Sequence, residues 1–308
     1  PLNMRKRQWV HGIGASRDGQ LWLLHQPGTP SKLFVSRSAD GARTWKTTEI
    51  DFPNLSSKAP QRLYNTSDND YNTFLERPDG TMMVTVGFRY KEAADFLMAD
   101  QSIPGYHETM IRSSDGGKTW GDPTLIHQYA AETSLAVDPN DPEHILAFTR
   151  TQRGLLPGED AAKVAKKTGV IQAYIDRKLL SKVIYKNGLL LESNDGGRSF
   201  HEVKGAMLGF GAYRGDLLWT PNNVIVATHQ RGSSFQGMHW SKSKREASGG
   251  DELLMRLSLD GGKTWVNGTK RGTPFYNRSK AHEFVVKGPG SHTSSSPTVE
   301  ISPNHFLT

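Results

Sequence analysis

Short apolar runs separated by tight turns recur along the whole chain. Asp18-Gly19 precedes Leu21–Leu24, and Asp79-Gly80 precedes Met82–Val84. Apolar runs of this length beside turn-forming residues are typical of β-strands joined by hairpins. The pattern therefore predicts an all-β protein made of repeated antiparallel units. Further units of this kind begin near Ser134, Asp216 and Ser296.

An octapeptide of the form Ser-x-Asp-x-Gly-x-Thr-Trp follows the strands of the first four units. In such a sequence Asp can accept hydrogen bonds from following amides, Gly can adopt a positive φ, and the aromatic residue can pack between units. The octapeptide thus predicts a hairpin turn and not a catalytic site. The copies are Ser38–Trp45 (Ala42 in the Gly position), Ser113–Trp120, Ser193–Phe200 and Ser258–Trp265.

Each complete unit contains four predicted strands, with the tight turn after the first and the octapeptide after the third. Four antiparallel strands repeated around an axis form the blades of a β-propeller, which closes with four to eight blades. We therefore expect a single propeller domain over residues 1–308. The expected blades span about 9–50, 70–128, 132–204 and 213–270, with the start of another at 292–308.

The composition narrows the possible partners. The chain has 38 Lys and Arg against 31 Asp and Glu, a net charge of +7, which favours an acidic partner. No nucleic-acid-binding motif and no apolar run long enough for a membrane span occurs, so neither a nucleic acid nor a membrane is predicted. The absence of cysteine excludes disulfides and thiolate metal sites, and we predict neither a metal nor a cofactor.

The two ends of the predicted blades differ in sequence. Because successive turns of a meander alternate between its ends, the octapeptides share one end with the tight turns, and the longer connections share the other. Those connections include Lys91–His107, Gly154–Lys186 and Gly232–Gly250. Variable loops on a rigid scaffold usually carry binding residues. Candidate residues near the axis at this end are His25, Asp68, Asp70, Arg89, Glu132, Arg150, Tyr213, Arg214, His229 and Arg231.

The octapeptides and the spacing of the blades resemble the Asp-box repeats of the sialidase superfamily. The resemblance implies six blades, so we expect a missing C-terminal portion. It also implies a secreted or periplasmic location, although the first residues show no leader pattern. The early aromatic-Arg-Ile-Pro segment of that family has no match before the first octapeptide.

The resemblance further implies a site in which an arginine triad binds the substrate carboxylate, an Asp is the acid/base, and a Tyr paired with a Glu is the nucleophile. By blade position, Asp68 or Asp70 corresponds to the acid and Glu132 to the stabilising carboxylate. Tyr213 could replace the family's tyrosine, which comes from a later blade, only in a differently built site. The arginines assigned to the clamp are Arg89, Arg150, Arg214 and Arg231.

Three functions remain open from the sequence. The first is a sialidase-like exo-glycoside hydrolase acting on an acidic sugar. The second is a polysaccharide lyase on uronate-containing glycans, in which His25, His229 or Tyr213 would remove a proton and Arg214 would neutralise the uronate. The third is a propeller that binds a glycan or a protein without catalysis. The repeat itself names none of these reactions, and it predicts no oligomeric state.

Overall fold

A computed structural model shows that the described residues form antiparallel sheets, which pack face to face as propeller blades. This arrangement confirms the all-β propeller predicted from the sequence. The description covers residues 8–27, 33–50, 62–63, 74–89, 106–128, 130–153, 158–160, 162–163, 185–210, 212–232, 251–266, 284–291, 299–303 and 305–307.

Among these residues the strands form four larger sheets and one two-stranded sheet, all paired in an antiparallel manner. Blade one contains β1 (Gln8–Ala15), β2 (Leu21–Pro27), β3 (Phe34–Ser38) and β4 (Lys46–Glu49). Blade two contains β5 (Arg62–Leu63), β6 (Phe74–Glu76), β7 (Met82–Arg89), β8 (Tyr106–Ser113) and β9 (Gly121–Gln128). Blade three contains β10 (Ala130–Val137), β11 (Ile145–Arg153), β12 (Tyr185–Ser193) and β13 (His201–Phe210). Blade four contains β14 (Ala212–Trp219), β15 (Ile225–Gly232), β16 (Asp251–Ser258) and β17 (Phe284–Ser291), and the two-stranded sheet contains β18 (Val299–Ser302) and β19 (His305–Leu307).

The core lies between the blades, because alternate residues of each strand face opposite neighbours. Between blades one and two, Trp22 packs against Phe74 and Trp120 with ring centroids 6.3 and 6.2 Å away. The first strands also contact one another in order, from β1 to β6, β10 and β14, which places them around the axis. Two further clusters join the later blades, one around Met83, Met110, Leu135 and Ile145 and one around Leu146, Phe148, Trp219 and Ile225.

The four octapeptides form the same hairpin turn. In the second copy the Asp115 carboxylate accepts hydrogen bonds from the amides of Lys118 and Thr119, at 2.9 and 3.0 Å, and from the Ser113 hydroxyl. Equivalent bonds surround Asp40, Asp195 and Asp260. Hydrogen bonds from Thr44 and Ser38 lower the pKa of Asp40 to about 2. These aspartates are occupied in turn formation, as the sequence predicts.

Arginines one residue before two of these octapeptides tie neighbouring blades together. Arg37 of blade one donates to the Gly116 carbonyl of blade two, and Arg112 of blade two donates to the Gly197 carbonyl of blade three. Arg112 also donates to the Asp122 carbonyl at 2.7 Å. The second and third octapeptide turns are therefore both hairpins and attachment points for the preceding blade.

The tight turns and the octapeptide turns lie at the same end of the propeller, as predicted. The Gly196 amide donates to the Glu143 carbonyl at 2.9 Å, and the Gly261 amide donates to the Asn223 carbonyl at 3.0 Å. We call this end the turn end and the opposite one the loop end. The second strand of each blade runs from the turn end to the loop end. Most residues of the three long connections lie outside the described part of the chain.

Ala42 occupies the glycine position of the first octapeptide with a φ of +68°. A left-handed backbone conformation costs an L-residue about 1–2 kcal/mol, and glycine avoids this cost. The greater conformational freedom of glycine in the unfolded chain offsets part of that gain in stability. We expect Ala42→Gly to raise the free energy of unfolding by about 0.5–1 kcal/mol in urea titrations. Ala39→Gly, in the same turn without a positive φ, should lower it by about the same amount. Equal effects of the two variants would contradict this account.

Candidate functional site

The first strand carries a β-bulge at the loop end in three blades, where its register with the second strand shifts. A bulge inserts an extra residue, bends the strand and redirects a side chain, and it is over-represented beside active sites. Within blade three, Glu132 takes a φ of +58°, which is uncommon for a residue other than glycine. The residues in the bulges are His11 in β1, Glu132 and Thr133 in β10, and Arg214 and Gly215 in β14.

Glu132 forms a buried ion pair with Arg150. Arg150 lies on β11 opposite Ala131, and its Nε is 2.9 Å from Glu132 Oε2. The Glu132 side chain is completely buried and that of Arg150 is 7% exposed. Removing two charges from water is costly unless their mutual attraction and further hydrogen bonds compensate. The pair is therefore sensitive to the loss of either partner.

A second carboxyl group, that of Glu108 in β8, faces this pair from blade two. Glu108 is 1% exposed and lies opposite Gly87 of β7. Burial is the largest cause that raises the pKa of Glu108 well above its usual range, and the negative charge of Glu132 adds to it, while Arg150 opposes it. Glu108 is thus held towards its protonated form beside an ion pair.

Glu108 is not among the residues predicted from the sequence, and it directly follows the predicted connection Lys91–His107. Comparison of the four copies at a fixed offset would have found it. Five residues before the octapeptide serine, the chain has Leu33, Glu108, Gly188 and Leu253 in blades one to four. Leu33 and Leu253 are both buried there. Two other blades have a buried leucine at this position, so a carboxyl group there is the sequence signal that identifies Glu108 as a candidate site residue.

Buried hydroxyl groups support the bulge that carries Glu132. The Thr133 and Thr149 hydroxyls are 2.6 Å apart, and Thr85 of blade two donates to the Thr133 carbonyl at 3.2 Å. One residue further, the Ser134 hydroxyl donates to Asp216 of blade four at 2.9 Å. The bulge is therefore attached to both neighbouring blades, which holds Glu132 in its left-handed conformation.

No protein-family model and no curated protein matches the sequence. Among solved structures, a protein of unknown function from Dyadobacter fermentans has 14% identity and a TM-score of 0.53, over 91% of this chain and 64% of its own. The α-L-arabinofuranosidase Arb93A of Fusarium graminearum, solved with an iminosugar inhibitor, has 13% identity and a TM-score of 0.53, over 84% and 67%. A Hadza microbial sialidase has 15% identity and a TM-score of 0.49, over 82% and 43%.

The chain has a β-propeller fold like that of Arb93A. It spans about two thirds or less of the length of the structures it matches, at 64% and 67% for the two with the higher TM-scores. The identities are low, so the likeness concerns the fold. It confirms the β-propeller fold predicted from the repeated octapeptides.

The two predicted histidines occupy equivalent positions in blades one and four, each on the second strand. His25 Nε2 is 2.8 Å from the Ser36 hydroxyl, and the ring stacks on Phe34. The His229 ring stacks on Phe148, with centroids 5.9 Å apart. Burial lowers the pKa of His25. A role of either histidine in substrate binding stays a prediction.

His11 is the bulge residue of β1 and corresponds by register to Thr133 in blade three. It is 3% exposed, and its pKa falls to about 4, chiefly because of burial, with His25 adding to the effect. A hydrogen bond with Gln26 acts in the opposite direction. At neutral pH the imidazole of His11 is therefore uncharged.

The backbone positions of four other predicted residues are described, whereas their side chains lie outside the described part of the propeller. Arg89 ends β7, Tyr213 and Arg214 lie at the bulge of β14, and Arg231 is the penultimate residue of β15. All four are at the loop end. Asp68 and Asp70 lie wholly outside the described residues.

A cavity of about 280 Å³ opens at the turn end of the axis, away from Glu132 and Arg150. Its walls come from the first strands of blades two to four and include Leu75, Leu135 and Trp219. It contains none of the residues predicted to form the site. Within the described ranges, no group of His, Asp and Glu has a geometry suited to a metal ion, and no helix is long and apolar enough to cross a membrane.

Proposed function

We propose that this chain is a carbohydrate-active propeller that hydrolyses an acidic sugar at the loop end, with Glu132 and Arg150 at the centre of the site. The observation that carries this proposal is the buried Glu132–Arg150 ion pair, 2.9 Å between Nε and Oε2, on a bulged first strand. Glu132 would be the reacting carboxylate, and Arg150 would bind the substrate and hold the Glu132 side chain in place.

The backbone of Glu132 supports a functional role. A left-handed conformation costs about 1–2 kcal/mol for an L-residue, and such strain clusters at active sites because the surroundings hold it in place. Here a bulge and the hydroxyl groups of Thr133 and Thr149 provide that support. A residue that served only to fill the core would not require this arrangement.

The distribution of arginines supports an acidic substrate. The strand ends place the backbones of Arg89, Arg214 and Arg231 at the same end of the propeller as Arg150. A planar guanidinium group can bind a carboxylate through two parallel hydrogen bonds. The chain as a whole carries a net charge of +7. A sugar with a carboxylate, such as a sialic acid or a uronic acid, matches this chemistry.

The fold neighbours support a glycosidase by analogy. Arb93A is an α-L-arabinofuranosidase with a TM-score of 0.53 to this chain. A shared fold does not by itself name a reaction, so the proposal depends on the side chains. Glycoside hydrolases use a pair of carboxyl groups, one as acid and one as base or nucleophile. We propose Asp68, Asp70 or Tyr213 as the partner of Glu132, and we propose that the protein is secreted.

The test is incubation of the purified chain with sialosides, uronate-containing glycans and neutral arabinosides. Glu132→Gln, which keeps the shape of the side chain, should lower kcat/KM at least about 100-fold, the size of a lost acid–base contribution. Arg198→Ala, at the turn end with a side chain 67% exposed, is the matched control and should leave the rate unchanged.

Two readouts distinguish the alternatives. Released reducing ends without a rise in near-ultraviolet absorbance would support hydrolysis, whereas such a rise would indicate the unsaturated product of a lyase and overturn the proposal. Binding of a glycan without turnover would indicate a recognition propeller and would overturn it too. Turnover of arabinosides alone would overturn the assignment of an acidic sugar as the substrate.

A further inference from the structure

The carboxyl group of Glu108 occupies a strand position at which blades one and four have leucine. Its Oε1 is inaccessible to water and has no hydrogen-bond partner among the described residues. The same face of β8 carries Met110, which packs in the cluster shared by blades two and three. Glu108 therefore points across the interface between these blades, towards the bulge of β10.

The charged groups around Glu108 come from several strands. β10 contributes Glu132, and β11 contributes Arg150. β7 contributes no charge, because Gly87 is the residue opposite Glu108. On the other side β9 contributes His127, whose Nε2 is 3.6 Å from Glu202 Oε1 of blade three. Two carboxyl groups thus face one buried guanidinium group. The cluster is neutral only if one of the two carboxyl groups keeps its proton.

We propose that Glu108 is the positioning residue that keeps this proton, so that the Glu132 carboxylate stays paired with Arg150 and fixed in place. The inference rests on the proposed function, since it assigns Glu108 a part in holding the reacting carboxylate. Glu108 does not itself contact the substrate. The buried ion pair assigns the charge to Glu132, and the raised pKa of Glu108 agrees with this division.

Stability should then depend on pH in a defined direction. In the unfolded chain Glu108 loses its proton near the usual pKa of glutamate, about 4.3. The folded protein keeps this proton to a higher pH. Between these values the folded state binds one more proton than the unfolded state. Stability therefore falls as the pH rises, and the unfolding equilibrium constant grows about tenfold per pH unit from this group. The fall ends above the folded pKa.

The experiment compares three forms of the full chain by urea unfolding between pH 4 and 9. Glu108→Gln has the shape of the protonated side chain but cannot ionise, and Glu108→Leu is the matched control because Leu33 and Leu253 occupy this position in blades one and four. Both variants should lack the tenfold-per-unit contribution that the wild type shows. A wild-type pH dependence equal to that of Glu108→Gln would overturn the proposal.

Measurements of enzymatic rate distinguish a positioning role of Glu108 from a role in packing alone. We expect Glu108→Gln to have at least about tenfold higher kcat than Glu108→Leu and to keep its activity to higher pH than the wild type. Equal rates for the two variants would show that Glu108 only fills space and would overturn the positioning role.

A failure of the proposed function is distinguishable from a failure of this inference. If the wild type turns over no substrate, a double-mutant cycle on unfolding still tests the contact between Glu108 and Glu132. We expect Glu108→Leu and Glu132→Gln to couple by at least about threefold in the unfolding equilibrium constant, as neighbouring residues do. Additive effects would overturn the inference whatever the activity.

Discussion

Arg150→Ala should lower the free energy of unfolding by about 3–5 kcal/mol, because it leaves the Glu132 carboxylate buried without its partner. That loss is a large fraction of the about 5–15 kcal/mol that stabilises a typical domain. The same variant should lose activity, since the proposed substrate-binding group is gone. Urea titration and rates on acidic sugars measure the two effects separately.

The double variant Arg150→Met with Glu132→Gln removes both charges at once. Buried ion pairs replaced by uncharged residues of similar volume often cost little stability. We therefore expect the double variant to recover most of the stability lost by Arg150→Ala while it stays inactive. Recovery of activity along with stability would mean that the pair is structural. A double variant as unstable as the single one would contradict the electrostatic explanation.

Gly117→Ala should be among the most destabilising single changes at the turn end. Gly117 has a φ of +77°, and an added Cβ would clash with the indole ring of Trp22 in blade one. Trp22 is 2% exposed and enclosed by Phe74 and Trp120, so it has no space to move. Backbone strain of about 1–2 kcal/mol and overpacking of about 1–3 kcal/mol predict a total loss of about 2–5 kcal/mol.

Gly19→Ala isolates the part of that loss which comes from the backbone. Gly19 has nearly the same φ, +80°, but nothing lies within 4 Å of an added Cβ. We expect a loss of about 1–2 kcal/mol from strain alone. The difference between the two variants in urea unfolding measures the contact between blades one and two. Equal losses would mean that the octapeptide glycine is required only for the turn.

The exposed Ala42 and the enclosed Gly117 show how the repeat adapts to its neighbours. Both residues have a positive φ, so the turn itself favours glycine in each copy. Only Gly117 packs against an indole ring, and Ala42 is exposed. The one departure from the octapeptide pattern in this position therefore occurs where the side chain is exposed.

The sequence by itself determined the fold class, the strand order within the blades and the position of the turns. These features depend on local chemistry: apolar runs, Asp-Gly pairs and the hydrogen bonds of an octapeptide act over a few residues. The pattern also brought Glu132 and Arg150 to one end of the propeller. They are 18 positions apart in the chain, and the hairpin between β10 and β11 makes them neighbours.

Only the tertiary structure decided which charges meet. The bulge in β10 depends on pairing with β11, and its left-handed Glu132 has no local sequence signal. Glu108 joins the pair from another blade, where packing of β8 against β10 sets its position. Its burial could be read from Leu33 and Leu253, but its protonation depends on a charge count across two blades. Such long-range electrostatics are determined by the assembled propeller, because a charge responds to every buried neighbour and not to its place in the chain.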